Sequence, residues 1–233
     1  MTSCASFIEQ DITQITLKGN HVNIFITYKY KCMVIFRKFF YENYSGKTAV
    51  IAYGRYNPPT IGHEKLINKL IDITNQNNAD GFIVPTHTQD NKKNPLTYNE
   101  KEELLKSMID DNINILPSGK TLMLMLRDLQ SKGYTNIIHI AGSDRIPDFR
   151  ALIATYNGKP DKTGNIPFKF KTYDFESAGD RDPDSEDVEG MSASKLRQLA
   201  VEGNIEEFKQ GMSVKLSDTL KEKAYKIIRE RIK

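Results

Sequence analysis

Two stretches of this chain carry side chains suited to holding phosphate groups: GRYNPPTIGH at residues 54–63 and GMSASKLR at residues 190–197. In the first, Gly54 follows a short apolar run, Pro58 and Pro59 stiffen a turn, and Thr60 and His63 fall where a helix should begin. A helix N-terminus offers unpaired N–H groups and the positive end of the peptide dipoles. An anion there would meet backbone N–H, the Thr60 hydroxyl and an imidazole. Thr60 as a plain helix cap and His63 as a surface residue is the competing reading, and spacing does not separate the two. In the second stretch, Ser192 and Ser194 open a helix and Arg197 lies one turn in. Two hydroxyls, free N–H groups and a guanidinium can thus converge on a polyphosphate, with an N-capped surface helix as the alternative. Lys92 and Lys93 in THTQDNKKNP, and Gly142, Asp144 and Arg145 in AGSDR, add cations and close backbone approach.

These segments need elements that bring them together, and from Lys47 onward strands and helices alternate, the pattern that forces parallel pairing with helical crossovers. Strands are expected over Thr48–Tyr53, Gly81–Pro85, Ile113–Leu116, Asn136–Ala141 and Phe168–Phe175. Helices are expected over 61–75, from Thr97 (with Glu100 completing a capping box), over 121–131, over 147–157 with Gly158 past its end, from Ser192, and over 216–232. The expected fold is α/β, a Rossmann-like parallel sheet of about five strands with helices on both faces and further C-terminal helices. In such a sheet ligands bind beyond the carboxyl ends of the strands. Here those ends release GRYNPPTIGH, THTQDNKKNP and AGSDR, and the segment after the fifth strand reaches GMSASKLR.

The chain has 233 residues, 39% hydrophobic and 27% charged, enough for one main core with small appendages. Lys and Arg total 33 against 30 for Asp and Glu; a net charge of +3 does not describe a polycation that coats nucleic acid. The basic face of the last helix reads as solvated, so nucleic acid is not an expected partner. Cys4 and Cys32 form no CxxC and sit near no His pair, which suggests neither a disulfide framework nor a zinc site. The apolar windows around 24–40 and 121–126 are broken or ended by Lys29, Lys31, Arg37 and Arg127. A soluble cytoplasmic protein without a secretion signal or membrane partner is expected (host cytoplasm if viral). Residues 1–46 read as an extension with a strand over His21–Lys31, 47–212 as the main domain, 213–233 as a C-terminal amphipathic helix, and the acidic run 176–189 as an exposed loop. The two SGKT tetrapeptides lack the earlier glycine of a P-loop, having Tyr41 and Asn114 in its place.

Taken in order, these residues resemble the two signatures of the nucleotidylyltransferase superfamily. GRYNPPTIGH is similar to Gly-x-Phe-x-Pro-x-(His or Thr)-x-Gly-His, and GMSASKLR to Ile-Ser-(Ser, Thr or Gly)-Thr-x-x-Arg. GRYNPP looks like the start of archaeal-type nicotinamide mononucleotide adenylyltransferases. Thr60 in place of the first His, with KKNPLTYNEKEELL, is similar to pantetheine-phosphate adenylyltransferases, and EGMSAS to the cytidylyltransferases. The whole arrangement, including GSDR and SAGDRDPD, looks most like the nucleotidyltransferase-like proteins of tailed bacteriophages. Met191 and Ala193 depart from the pattern, and Ala193 removes one phosphate donor.

The resemblance implies transfer of a nucleoside monophosphate from an NTP, with Mg²⁺ present, to a phosphate-bearing acceptor, releasing pyrophosphate by in-line displacement at the α-phosphorus. It implies that Thr60 and His63 hold the α- and β-phosphates, that Gly54, Arg55 and Tyr56 let the triphosphate approach, and that Ser192, Ser194 and Arg197 bind the β- and γ-phosphates. Lys93 would bridge acceptor and α-phosphate, Gly142 and Asp144 would contact nucleoside or acceptor, and Arg145 would hold the acceptor phosphate. ATP and a small phosphorylated metabolite such as nicotinamide mononucleotide are the expected substrates. The alternatives are CTP with a phosphorylated alcohol, or a non-catalytic nucleotide-binding scaffold. Homo-oligomerisation is left open.

Overall fold

The strand expected over Thr48–Tyr53 runs from Lys47 to Gly54 in the computed structural model of the chain, and it is the middle of the sheet that organises everything else. The structure describes residues 15–18, 21–24, 46–117, 121–179 and 191–232. The chain divides into two units, Met1–Ser45 and Gly46–Lys233. In the first, β1 (Ile15–Lys18) pairs antiparallel with β2 (His21–Ile24). The strand expected over His21–Lys31 is thus seen to Ile24, and its remainder lies outside the described residues. β1 falls in a stretch that shows no apolar period.

The second unit runs β3 (Lys47–Gly54), α1 (Ile61–Asn77), β4 (Asp80–Pro85), α2 (Tyr98–Lys106), β5 (Ile113–Ile115), α3 (Leu122–Ser131), β6 (Tyr134–Ala141), α4 (Ile146–Tyr156), β7 (Thr172–Ser177), α5 (Ala193–Glu202), α6 (Ile205–Gly211) and α7 (Asp218–Arg231). The sheet order is β5-β4-β3-β6-β7 with every pair parallel. Side chains alternate across it, as the period of a strand demands. Val50 and Ala52 join a core with α1, α2 and α5 to α7, whereas Ala49 and Ile51 join a second core with α3 and α4. Helices therefore cover both faces, and the fold is the expected Rossmann-like one. Among the described residues no helix is long and apolar enough to cross a membrane.

Hydroxyl caps set the helix starts. Thr60, Thr97, Thr121 and Ser192 each accept a backbone N–H three residues on, and Thr97 forms the expected reciprocal box with Glu100. Two expectations shift. Phe168 and Phe170 lie outside the ladder, which begins at Thr172. The Asn157 side chain takes the N–H and C=O of Phe170 while both rings bury in the core. Their alternation reflects burial outside the sheet, with Phe168 making an isolated bridge to Asn157. Helix α6 was not anticipated, because its seven residues are too few to show a period; Asn204 caps it and Phe208 anchors it. Lys47, from the first SGKT, opens β3 at the end of the strand opposite Gly54, paired with Asp80 at 3.1 Å and with the Tyr134 hydroxyl at 3.0 Å.

His139, inside β6, is fully buried among aromatic rings, with Phe149 at 4.5 Å and Phe175 at 5.5 Å between centroids. Its Nδ1 lies 3.0 Å from the Tyr173 hydroxyl and its Nε2 has no hydrogen-bond partner. Burial holds its pKa down to about 3, against an ordinary 6.5. The unfolded chain therefore takes up this proton first as pH falls. The resulting loss of stability begins near the ordinary value and continues toward pH 3, with a slope of up to ~1.4 kcal/mol per pH unit. His139→Asn, which does not titrate, should flatten the dependence of urea-unfolding free energy on pH between about pH 6 and about pH 4. Parallel profiles for the two proteins would rule this out.

Candidate active site

The carboxyl ends of β3, β4 and β6 open into a cleft of about 410 Å³. Its walls include Gly54, Arg55, Tyr56, Thr60, His63, Lys93, Gly142, Asp144, Arg145, Ser194 and Arg197, so residues from four separate segments of the chain meet there. Of the candidates, Ser192 and Lys92 do not line it. Lys92 gives its N–H to Asp90 at 2.9 Å. The Ser192 hydroxyl accepts the Lys195 N–H at 3.1 Å and caps α5.

Local packing explains how the first segment is presented. Tyr56 adopts φ of 46°, the left-handed region that a bulky residue enters only when its surroundings compel it. The ring turns back beneath Gly54, fully buried, and its hydroxyl donates to the Ala52 carbonyl at 3.2 Å. A Cβ on Gly54 would meet that ring at 3.1 Å, a tight contact, so glycine gives the folded-back ring room. The Tyr56 ring also packs on His63, 4.9 Å between centroids.

Thr60 and His63 form a capping box in which histidine takes the place usual for Glu or Gln. The Thr60 N–H donates to His63 Nδ1 at 3.1 Å, and the His63 N–H donates to Thr60 Oγ1 at 3.4 Å. With Nδ1 accepting, this network assigns the ring proton to Nε2. Thr60 Oγ1 also lies 3.0 Å from Nδ1, and the residue is 3% exposed. The cap thus occupies the Thr60 hydroxyl, and the half-buried imidazole is the group held ready at the helix start.

Arg197 is fixed from the other side. Its Nη1 donates to the Asn57 carbonyl at 2.7 Å and its Nη2 to Ser194 Oγ at 2.9 Å, tying the second signature to the first across 140 residues of chain. Burial first, and the nearby Arg55 second, push this guanidinium below its ordinary range, while Asp90 acts the other way. Asn57 in turn grips the second loop. Buried, it accepts the Leu96 N–H at 2.9 Å and donates to the Leu96 carbonyl at 3.1 Å. The Asp90 carboxylate receives the N–H of Lys93, the side-chain amide of Asn94 and the N–H groups of Lys92 and Asn94, closing the loop that carries Lys93, and these bonds hold its pKa far below the usual carboxylate range. In the third loop Arg145 sits at the start of α4 with its guanidinium over the Phe149 ring. A Cβ on Gly142 would meet Asp144 Oδ1 at 2.7 Å.

Charge decides what such a cleft suits. Arg55, Lys65, Lys93, Arg145 and Arg197 line it against one carboxylate among the described residues, Asp144. Cations gathered around a concave wall raise the local potential and concentrate anions. Two helix starts, α1 and α5, add N–H groups to the same wall. Tyr53, Leu66, Phe149 and Met191 add apolar surface to the lining.

The model of the cytidylyltransferase-like family matches residues 51–199, which span every cleft residue named above. The chain belongs to the cytidylyltransferase-like family. No curated protein sequence matches it. Among solved structures, the cytidylyltransferase-like chain is similar to the nicotinic acid mononucleotide adenylyltransferase of Plasmodium falciparum complexed with APC. The TM-score is 0.51 at 18% identity, over 78% of this chain and 98% of that one. It is also similar to TmcAL of Thermotoga maritima bound with alpha-thio ATP, with a TM-score of 0.47 at 12% identity, over 80% of this chain and 56% of that one. The first likeness shows a shared fold.

Sequence reasoning did not single out Asn57, Lys65, Tyr53, Phe149 or Thr86, all of which line the cleft. For Asn57 the only signal is an Asn before Pro, which reads as a turn former. Tyr53 and Phe149 read as core.

Proposed function

We propose that this protein is an NTP:phosphate-acceptor nucleotidylyltransferase that moves AMP from ATP to a small phosphorylated metabolite, with nicotinamide mononucleotide the first acceptor to test. The observation that carries the reading is the convergence of His63, Lys93, Arg55, Arg145 and Arg197 on one cleft at the strand ends. Membership of the cytidylyltransferase-like family supports the reaction class.

In this reading the triphosphate lies between the start of α1 and Arg197. An oxygen of the acceptor phosphate attacks the α-phosphorus. The bond from that phosphorus to the α–β bridging oxygen breaks, and pyrophosphate leaves with the electron pair. No covalent enzyme intermediate forms, so the chain contributes positioning and stabilisation of charge. His63, its proton on Nε2, donates to the phosphates as charge builds on the leaving group, and Thr60 fixes the ring. Arg197, with Ser194 bonded to it and Arg55 beside it, holds the β- and γ-phosphates; Ser192 supports them through the cap of α5. Lys93 bridges acceptor and α-phosphate, Arg145 takes the acceptor phosphate, and Gly142 with Asp144 borders nucleoside or acceptor.

Among the described residues no three of His, Cys, Asp and Glu gather into a metal cage. We assign Mg²⁺ to the nucleotide substrate, whose phosphates would carry it, and Asp144 is the carboxylate of the cleft lining that would be available to it. The likeness to phage proteins, and with it a host cytoplasmic location, rests on the sequence signatures.

Pyrophosphate release tests this reading. The protein is incubated with Mg²⁺, ATP or CTP, and a panel comprising nicotinamide mononucleotide, a phosphorylated pantetheine and phosphorylated alcohols. Release that requires ATP and one acceptor is expected. Release with CTP and a phosphorylated alcohol would move the reading to cytidylyl transfer. Tight NTP binding without release from any pair would replace it with a nucleotide-binding scaffold.

A further inference from the structure

The loop that carries Lys93 is pinned at three consecutive residues just beyond it, each by a group from a different part of the chain. Arg231, at the end of α7, donates through Nη1 to the Pro95 carbonyl at 2.7 Å. The same guanidinium makes a two-pronged pair with Glu100, Nη1 to Oε2 at 2.6 Å and Nη2 to Oε1 at 2.8 Å. Leu96 is held on both its backbone groups by Asn57. Thr97 donates its N–H to Glu100 Oε2 at 2.8 Å. Burial pushes the Glu100 carboxyl up, but the Arg231 guanidinium and the Thr97 bonds together outweigh it and hold the pKa below the ordinary value.

The C-terminal segment reaches the other signature as well. Glu64, next to His63, accepts the Ser213 hydroxyl at 2.7 Å and the Val214 N–H at 2.9 Å. Met212 forms an isolated bridge with Thr60. The residues after α5 thus touch both loops of the cleft without lining it. Their bonds to the loops run between side chains and backbone of distant segments, which suits them to hold those loops in place.

We propose that Arg231 is a positioning residue for nucleotidyl transfer: the C-terminal helix braces the Pro95–Thr97 segment and so sets where Lys93 meets acceptor and α-phosphate. The proposal rests on the activity proposed above. A planar guanidinium is needed because one group must serve a carbonyl and both oxygens of a carboxylate, which an ammonium does not match. Lys93 itself is exposed and its loop turns on Asp90, so the brace at Pro95 bounds the loop's far side. Displacing a reacting group by about 1 Å can cost ~10²-fold in rate.

The test compares Arg231→Met, Arg231→Lys and Glu100→Gln with the wild type in the full chain, with three readouts. Steady-state pyrophosphate release should show kcat falling about tenfold or more and acceptor KM rising in Arg231→Met, with Arg231→Lys recovering only part. Calorimetric ATP affinity should stay within about twofold, because His63 and Arg197 keep their partners. Amide hydrogen exchange should quicken at Leu96 and Thr97 while β3 and β6 keep their protection. Unchanged exchange at Leu96 and Thr97 would overturn the brace whatever the activity. Faster exchange there with unchanged kcat and acceptor KM would overturn its role in transfer. Parallel loss of ATP affinity and of β3 protection would make Arg231 a general stabiliser and overturn the proposal too. If the wild type releases no pyrophosphate, the proposed activity fails and exchange still decides the brace.

Discussion

Arg197→Ala should lower kcat/KM for pyrophosphate release by about 10²- to 10³-fold, the usual loss when one preorganised charge-stabilising donor is removed. The side chain is anchored by the protein's own groups. Its two terminal nitrogens are committed to the Asn57 carbonyl and Ser194 Oγ, so it pays no reorganisation when charge develops. Its burial beside Arg55 leaves a positive potential that Asp90 offsets only in part, and a polyphosphate would relieve it. Removing it should therefore weaken ATP binding as well as slow transfer. Arg197→Lys should restore the charge without the pair of anchoring bonds, and so recover only a small part of the rate. Calorimetry and steady-state kinetics on the three proteins check this; an alanine variant with wild-type affinity and rate would remove Arg197 from the mechanism.

His63→Gln should abolish transfer by a similar factor, about 10²- to 10³-fold in kcat, while leaving the fold intact. The choice of glutamine follows from the capping box. His63 closes the start of α1 by accepting the Thr60 N–H, a task that Gln performs at the same position in other helices. His63→Ala breaks the box and loses the imidazole together, with an added stability cost of about 0.5–2 kcal/mol on the scale of lost caps. The pair of variants separates the two roles. Near-wild-type melting with lost activity in His63→Gln would assign the imidazole to chemistry. Full activity in His63→Gln would leave His63 as a cap alone.

Much of this architecture was legible in the sequence because it rests on local rules. The short, nearly continuous apolar runs in Thr48–Tyr53 and Asn136–Ala141 report burial on both faces of a sheet, and the hydroxyl caps at Thr60, Thr97, Thr121 and Ser192 report helix starts. Once strands and helices alternate, the strand ends must share one edge, which is why residues as distant as Gly54 and Arg197 could be expected in one cleft. The long-range polar bonds were not legible. Nothing about Asn57 announces that it will grip Leu96, nor about Arg231 that it will reach Pro95, because such pairs depend on tertiary placement and carry no periodic signature. The fifth strand began late for a related reason, with Phe168 and Phe170 reading as strand by composition while the Asn157 side chain satisfied the Phe170 backbone and the Gly158 N–H the Phe168 carbonyl.

The central claim is that one triphosphate spans His63 and Arg197. A crystal structure of the protein with Mg²⁺ and a non-hydrolysable ATP analogue measures it directly. The account predicts phosphate oxygens within about 3.2 Å of both His63 Nε2 and a guanidinium nitrogen of Arg197, with Lys93 facing the α-phosphate. A triphosphate bound elsewhere, or touching only one of the two side chains, would contradict it.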